Sequence, residues 1–580
     1  MSEVTQVRKS LGADVVVIGS GGAGLCAAAA ARRAGAKVIL LTKGKAGVAN
    51  CTAWAGGGFT VSPPAEAVSA LLTPEEHFRL SLKTGRGLNN RELLGELCHR
   101  GTQSLQELER DFGVRLDWGE RGCSVRRFGR EPLLGGVGLT VPLLAHLERV
   151  GVEIIEGAVA REIIRDPRGE VRGVIAVAVD ESVFGTGMPA EEGEAAVMMV
   201  DAGAVVVATG GGGAIYGRTD NPPRMTGDGY RILAAAGAIL EDMEFVQFYP
   251  LGVAEPGLPS RLLDAGLLGI VPLTDEAGQD PLAGKFREWG IDSGEEANLY
   301  ARDLIAVTLA RHIAAGHRLY LHTEEMPTAD VPREHREIYL EVVRGSLPPS
   351  FDPFARPVRV APTQHYFCGG AVITKAGEVL GRDRRPIPGL FACGEVTSGV
   401  DGANRVGGNA LTNIVVFGLA AGRRAAEHAG EKRAAGEAAS ASARLSFTFS
   451  SEGPSPASLR SELHTLCDEG LGPVRSAKKL EETLAGLADL ERRAATARVR
   501  SRSDLLLALE LDSAVATATY VARSALTRTE SRGAHFRDDY PGADESWSQR
   551  HVSPDSGPWS RSCRLSAAAR SRPEGRGTPS

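Results

Sequence analysis

The 580-residue chain has no two cysteines in C-x-x-C spacing: its eight cysteines stand at positions 26, 51, 98, 123, 368, 393, 467 and 563. That pattern supports neither a zinc ribbon nor a cysteine-ligated iron–sulfur cluster, so no metal is expected and the thiols read as those of a reduced intracellular protein. A basic excess is lacking as well. With 66 Lys and Arg against 72 Asp and Glu the net charge is −6, which gives no electrostatic footprint for nucleic acid or an acidic membrane surface. The N-terminus MSEVTQVRKS has neither an apolar signal region nor a twin arginine. No run reaches the ~18 apolar residues of a membrane span. The expectation is a cytoplasmic protein with no direct membrane span and no nucleic-acid partner.

Glycine, in contrast, is plentiful. The 71 glycines gather in loops beside apolar strands, a distribution that suits dinucleotide-binding turns better than disorder. At 43% hydrophobic and 24% charged residues the bulk is globular, and the length calls for about two to four domains.

The first clear unit spans 13–43. Val15–Ile18 is an apolar strand, Gly19-Ser-Gly21-Gly22-Ala23-Gly24 a turn, Ala27–Ala34 a helix and Val38–Leu41 the next strand. The early glycines permit a tight turn and close approach to a pyrophosphate, and the last lets helix and strand pack closely. The second strand ends in Thr42-Lys43, where an acid usually binds the ribose. The small residues of 44–60, among them Cys51, Thr52, Gly57 and Gly58, have no helical or strand period. They suit backbone pressed against a flat ligand. Residues 74–115 read as helical, with His77 and His99 as surface or core histidines rather than ligands.

A second buried strand, Ala204–Ala208, enters Thr209-Gly210-Gly-Gly-Gly213, and Asp228 precedes a helix as either a cap or a ribose contact. Pro-rich turns and scattered helices over 241–355 interrupt the α/β pattern, which resumes at Val358. The stretch Gly389–Gly422 then carries a buried-strand run into Glu395, a polar loop with Asn404 and Arg405, and an apolar helix behind Asn409. Asn409 is a candidate N-cap, and the helix start offers orphan N–H donors and partial positive charge beside an arginine. Residues 431–456 read as a low-complexity connection. Leu459/Leu463/Leu466 and Leu480/Leu484/Leu487 repeat at helical spacing and predict a packed helical bundle.

The segments FVQFYPLG (245–252), ARD (301–303), PTQHYFCGG (362–370), 389–411 and ESRGAHFRDDYP (530–541) resemble the succinate dehydrogenase/fumarate reductase flavoprotein family, which includes L-aspartate oxidase. The resemblance implies an α/β fold: a two-lobed Rossmann-like FAD-binding domain (13–240 and 356–430) with an inserted α+β capping domain (241–355). A C-terminal helical domain (457–550) follows, and the Ser/Arg/Pro-rich 551–580 is expected to be a disordered tail. It also implies FAD as cofactor, a small carboxylate-bearing substrate and, as partner, an iron–sulfur or other electron-transfer subunit. Glu395 matches the acid on the ribityl hydroxyls, and Ala410 and Leu411 match the helix-start positions whose backbone stabilises charge on the flavin. Arg405 and His365 match a pair that grips one carboxylate, and Arg302 matches the residue proposed to transfer a proton. Arginine is a poor acid unless it works within a network. The Arg, His and Asp residues of 530–541 read either as an electron-exit region or as a solvated turn.

Four departures bear on function. Cys51 stands where covalent members carry a histidine, so FAD is expected to be noncovalent. Tyr249 replaces a second carboxylate-binding histidine. Leu263, Asp264 and Leu267 stand for a threonine, an acid and a relay arginine, leaving Arg261 as the nearest cation. Asp401 replaces a further histidine. The expectation is hydride transfer to or from a carbon–carbon bond activated by one carboxylate. The alternatives are an L-aspartate oxidase and an electron-transfer subunit whose substrate site has decayed.

Overall fold

The computed structural model describes residues 2–4, 7–66, 71–126, 135–179, 196–326, 347, 348, 350–434, 447–449 and 452–555. Its frame is an eight-stranded sheet. Strands Val38–Leu41, Val7–Ile18, Ala196–Val207 and Pro386–Ala392 lie side by side in parallel. Their central stretches Val15–Ile18, Val38–Leu41 and Val205–Val207 are unbroken apolar runs because the sheet is buried on both faces there. Val15, Val16, Val17, Leu40, Val205 and Val206 are fully buried. On one face, helices Gly22–Arg33 and Asn409–Ala434 cross at glycine. A Cβ at Gly422 would meet Ala27 O at 2.1 Å, and one at Gly418 would meet Ala23 O at 2.8 Å.

The inserted unit builds a separate antiparallel sheet from Val246–Val253, Leu273–Asp275, Leu319–Leu321 and Val358–Phe367, beside helices Gly294–Tyr300 and Arg302–Ala314. The sequence predicts a boundary at 355. The ladder runs further because Val358 and Val360 are fully or almost fully buried in the apolar core of this unit, together with Leu251, Leu263 and Leu267. Residues 327–346 lie outside the described residues.

The C-terminal helices Pro456–Gly470, Ala477–Ala494 and Arg502–Thr527 begin at Ser455, Ser476 and Ser501, whose side chains accept from Ser458 N, Lys479 N and Asp504 N. Such caps satisfy donors that the first turn leaves unpaired. The Arg502–Thr527 helix is long and apolar enough to cross a membrane. Its Leu509, Ala514, Ala518, Val521 and Ala525 are buried in the protein, which is where its apolar residues find their partners.

The segment 530–541 is not a solvated turn. Glu530, His535 and Arg537 are buried. Arg528 bridges Glu244 and Glu530 at 2.6 and 3.0 Å, and Arg475 donates to Glu244 O at 2.7 Å. Residues 551 and 552 of the expected tail are held to the body, where Val552 N donates to Asp242 Oδ1 at 3.1 Å and His551 pairs with Asp242 at 2.6 Å. Residues 556–580, the rest of that tail, and 435–446 of the expected connection lie outside the described residues. The helix before that connection extends to Ala434, and Phe447–Phe449 pairs with Ser2–Val4.

Candidate active site

The Gly22–Arg33 helix starts at Gly21 with no side-chain cap and no acid in its first turn. Its N-terminus opens on a cleft lined by Gly19, Gly21, Gly22, Ala23, Thr42 and Lys43. Cys51, Thr52, Thr209, Gly210, Asp228 and Glu395 line it as well. Gly24 lies behind the wall, where a Cβ would stand 1.9 Å from Gly19 O, so it serves the helix–strand contact as its place in the turn predicts.

Three local bonds shape this wall. Thr52 Oγ1 accepts from Gly22 N at 3.1 Å. Asn50 Oδ1 accepts from Ala53 N at 2.9 Å, which turns the irregular loop into the one-turn helix Cys51–Trp54. Lys43 Nζ, standing where an acid is usual, meets Asp228 at 2.6 Å and Glu510 at 3.2 Å. Asp228 caps no helix through its side chain. Its carboxyl sits below the usual range, with the Lys43 cation overcoming the cost of burial. Thr209 Oγ1 is buried here without a partner among the described residues. An FAD fits the donor set: glycine backbone for pyrophosphate, a hydroxyl and carboxylates for sugar hydroxyls.

Glu395 closes the far end. Its carboxylate accepts from Gly211 N at 3.1 Å and Phe367 N at 3.0 Å, and burial still pushes its pKa up to about 7. The Asn409 side chain does not cap its helix and does not line the cleft. It is held by His77 Nε2 at 2.8 Å and Ser81 Oγ at 3.1 Å, tying the helix start to Pro74–Thr84. Among the described residues no side chain accepts from the N–H of Ala410 or Leu411, so these donors stay open to a ligand. The cleft wall ends at Ile414, one turn beyond them. Gly57 and Gly58 stand off the wall too. Gly57 has φ +85° and no room for a Cβ against Val125 and Gly135. Gly58 begins a strand whose Thr60 donates to Gly407 O at 2.6 Å.

The expected substrate residues converge from three elements. Arg405 is buried with its guanidinium 4.4 Å from the Tyr366 ring centroid and donates to Gln247 Oε1 at 3.0 Å. Arg302 opens the Arg302–Ala314 helix of the capping unit and is 7% exposed. A Cβ at Gly407 would stand 3.1 Å from its Nη2, so the two lobes touch here. Burial lowers the Arg302 pKa to about 10. It remains a cation at neutral pH, yet much nearer to proton exchange than a free guanidinium. Arg302 Nη1 and Arg405 Nε are buried without an acceptor among the described residues, a state that costs free energy unless an anion completes it.

His365 Nδ1 lies 2.9 Å from Asp220 Oδ2, and its ring meets Tyr249 edge-on at 5.5 Å. Burial lowers its pKa, outweighing Asp220, and the charges of Arg405 and Arg302 add to the fall. With Asp220 accepting from Nδ1–H, a neutral ring leaves Nε2 an acceptor. It donates to a carboxylate only as imidazolium. The simple cationic clamp expected of His365 is therefore conditional on a proton.

The side chain that sequence reasoning missed is Asn298, four residues before Arg302. Its Oδ1 accepts from Arg302 Nη2 and from Tyr249 OH, both at 3.0 Å, and its Nδ2 donates to Asp264 Oδ1 at 3.1 Å. Asp264 also accepts from Gly266 N at 2.7 Å, and burial raises its pKa. Tyr249 OH meanwhile accepts from Ala265 N at 2.9 Å, so its hydroxyl is engaged on both sides. Asn298→Ala should lower kcat by about 10–100-fold, since a displacement of ~1 Å in the reacting groups costs that much. FAD content should hold, and steady-state kinetics with an absorbance check would measure both. Only the spacing of four before the arginine on a helical stretch could have pointed to it.

The remaining departures resolve in the same way. Leu263 and Leu267 are fully buried in the capping core, and Arg261 stacks on Trp54 at 4.2 Å across the lobes. Neither leucine nor that cation replaces a relay arginine. Asp401 accepts from Tyr366 OH at 3.1 Å, and burial raises its pKa to about 6.

Comparisons with known proteins agree with this layout. Residues 14–411 match the family described as FAD binding domain, and residues 460–577 match fumarate reductase flavoprotein C-term. One subunit of the fumarate reductase (CoM/CoB) of Methanothermobacter marburgensis is 31% identical over 554 residues, covering 92% of this chain and 95% of that protein. L-aspartate oxidase of Streptomyces coelicolor is 30% identical over 566 residues, covering 94% and 91%. Among solved structures, Escherichia coli quinol fumarate reductase FrdA aligns with a TM-score of 0.73 and 27% identity over 93% of each chain. These matches span both lobes, the insertion and the C-terminal helices. The chain is an FAD-dependent oxidoreductase and belongs to the fumarate reductase/succinate dehydrogenase flavoprotein family.

Proposed function

We propose that the chain transfers a hydride between FAD and a carbon–carbon bond activated by a single carboxylate, with Arg302 exchanging the accompanying proton. FAD supplies hydride-accepting and hydride-donating chemistry at its N5 position. Arg405 and protonated His365 would grip the carboxylate, the arginine through its fork of donors. Arg302, held by Asn298, would meet the carbon that gains or loses the proton. The observation that carries the single-carboxylate reading is the Tyr249 hydroxyl. It is bonded on both sides, and Leu263 and Leu267 lie inside the capping core, so the usual second clamp has no free donor.

FAD is proposed to be noncovalent, because no histidine stands at the attachment position and desolvation pushes the Cys51 thiol well above its usual range, away from the thiolate. A separate electron-transfer partner is proposed on the ground that relatives are named as subunits and that the chain has no cluster-binding cysteine pattern. A cytoplasmic site of action goes with these reduced thiols. An L-aspartate oxidase would again need two carboxylates held, and an electron-transfer subunit with a decayed site would have no use for two buried arginines that each keep one donor without a partner among the described residues.

The test is the pH dependence of flavin reoxidation by a monocarboxylic 2-enoate. The His365 pKa lies below its ordinary value in the free enzyme, so binding the carboxylate takes up a proton. The apparent Kd should rise about tenfold per pH unit above that pKa, while the rate at saturation stays level. A Kd independent of pH from 6 to 9 would contradict the role given to His365.

A further inference from the structure

Asp401 sits in the loop that carries Arg405, and that loop is pinned from three sides. Asn89 Nδ2 donates to Val400 O at 2.8 Å, Ala403 N to Gly85 O at 3.0 Å, and Ala534 N to Ala403 O at 2.8 Å. Next to Arg405, Asn404 Oδ1 accepts from Gln247 Nε2 at 2.7 Å. Asp401 and Arg405 are both buried, and both meet one side chain. Tyr366 OH donates to Asp401 Oδ2 at 3.1 Å, and the Arg405 guanidinium lies over the Tyr366 ring at 4.4 Å. The cation of the carboxylate grip therefore has a buried acid fixed near it.

Tyr366 needs an acceptor for its hydroxyl, and a neutral one would serve. An acid there is costlier. Asp401 Oδ1 is buried without a partner among the described residues, and a buried carboxylate oxygen left unbonded is unfavourable. Burial raises the Asp401 pKa to about 6, against the pull of the Arg405 cation and the Tyr366 hydrogen bond. The group is ionised at neutral pH all the same. Arg405 gives its hydrogen bonds to Val406 O and Gln247 Oε1, so Asp401 acts on it, and on an anion it holds, through the field and not through a bond.

We propose that Asp401 is a specificity-determining residue, whose fixed negative charge beside the grip admits a ligand with one carboxylate and disfavours a ligand with two. This deepens the single-carboxylate reading above and rests on it. Coulomb energy scales with the charge of the ligand. Whatever factor Asp401 takes from the affinity of a monoanion, it takes up to the square of that factor from a dianion of the same reach. The engaged Tyr249 hydroxyl withholds a donor from the second carboxylate, and Asp401 adds a repulsion, the two ways in which a site discriminates.

The experiment titrates FAD-loaded protein at neutral pH with acetate and with malonate, and the shift in flavin absorbance gives each Kd. The two differ by one carboxylate, and neither has a CH–CH bond to oxidise. Wild type should bind acetate the more tightly. Asp401→Asn keeps the size and an acceptor for Tyr366, so FAD content and melting temperature should hold. In that variant acetate should bind about 3–10-fold more tightly and malonate about 10–100-fold, shifting their ratio by at least about threefold. Asp401→Ser, smaller and also neutral, should shift the ratio the same way. A wild type that prefers malonate would overturn the inference together with the single-carboxylate reading. A wild-type preference for acetate that stays within about twofold in both variants would overturn the role of Asp401 alone.

Discussion

Arg302→Gln should lower turnover by about 10²–10⁴-fold, the range spanned by a positioned acid or base, and the loss should fall near the upper end. The substitution removes both the exchangeable proton and a buried positive charge beside the reacting bond. The site around it is prepared for that charge. Asn298 Oδ1 takes Nη2, the Tyr249 ring lies 4.7 Å from the guanidinium carbon, and burial brings the pKa down to about 10. Glutamine keeps a hydrogen-bonding side chain of similar reach, so FAD content and the melting temperature should stay near wild type. Stopped-flow reoxidation of the reduced protein would give the rate directly. A loss of less than tenfold would show that Arg302 is not the proton donor or acceptor.

Gly24→Val should be the most damaging change to the fold. A Cβ there would stand 1.9 Å from Gly19 O and 2.9 Å from Gly19 C, so the Gly22–Arg33 helix would have to leave the strand it packs on. The cost exceeds about 4 kcal/mol, and because the same helix opens the cleft, FAD should be lost with it. Flavin absorbance relative to protein, together with a thermal melt, measures both effects. Gly95→Ala is the control. It sits inside the helix Arg91–Phe112 with no heavy atom within 4 Å of the added Cβ, and should stabilise by roughly 0.5–1 kcal/mol.

Much of the cleft is legible in the sequence because its chemistry is local. A strand, a glycine turn and a helix follow one another within 13–43, and Glu395 follows directly on its strand, so short-range rules apply to both. Arg302, His365 and Arg405 lie far apart in the chain and come together only through the resemblance, which covers the whole architecture. Partners set by tertiary contact alone are not legible. Asn409 has the residue type and place of an N-cap, but two polar side chains from another helix compete for it and win. Lys43 looks like a lost ribose contact until Asp228 and Glu510, distant in sequence, are seen beside it. The bulk of His365 is readable and its charge state is not, since that depends on burial and on two arginines from other elements. The strand Val358–Phe367 joins the sheet of the inserted unit although it lies beyond 355, because the change in pattern there marks the end of the Pro-rich stretch and not the end of the sheet.

The most direct test of the account is a comparison of substrates for the photoreduced protein by stopped-flow absorbance. The flavin should be reoxidised faster by a 2-enoate bearing one carboxylate than by fumarate at equal low-millimolar concentration, and Arg405→Ala should abolish the response to both. Fast reoxidation by fumarate at that concentration, with the monocarboxylate inert, would mean that a second carboxylate is held after all and that the reading of Tyr249 and Leu267 is wrong.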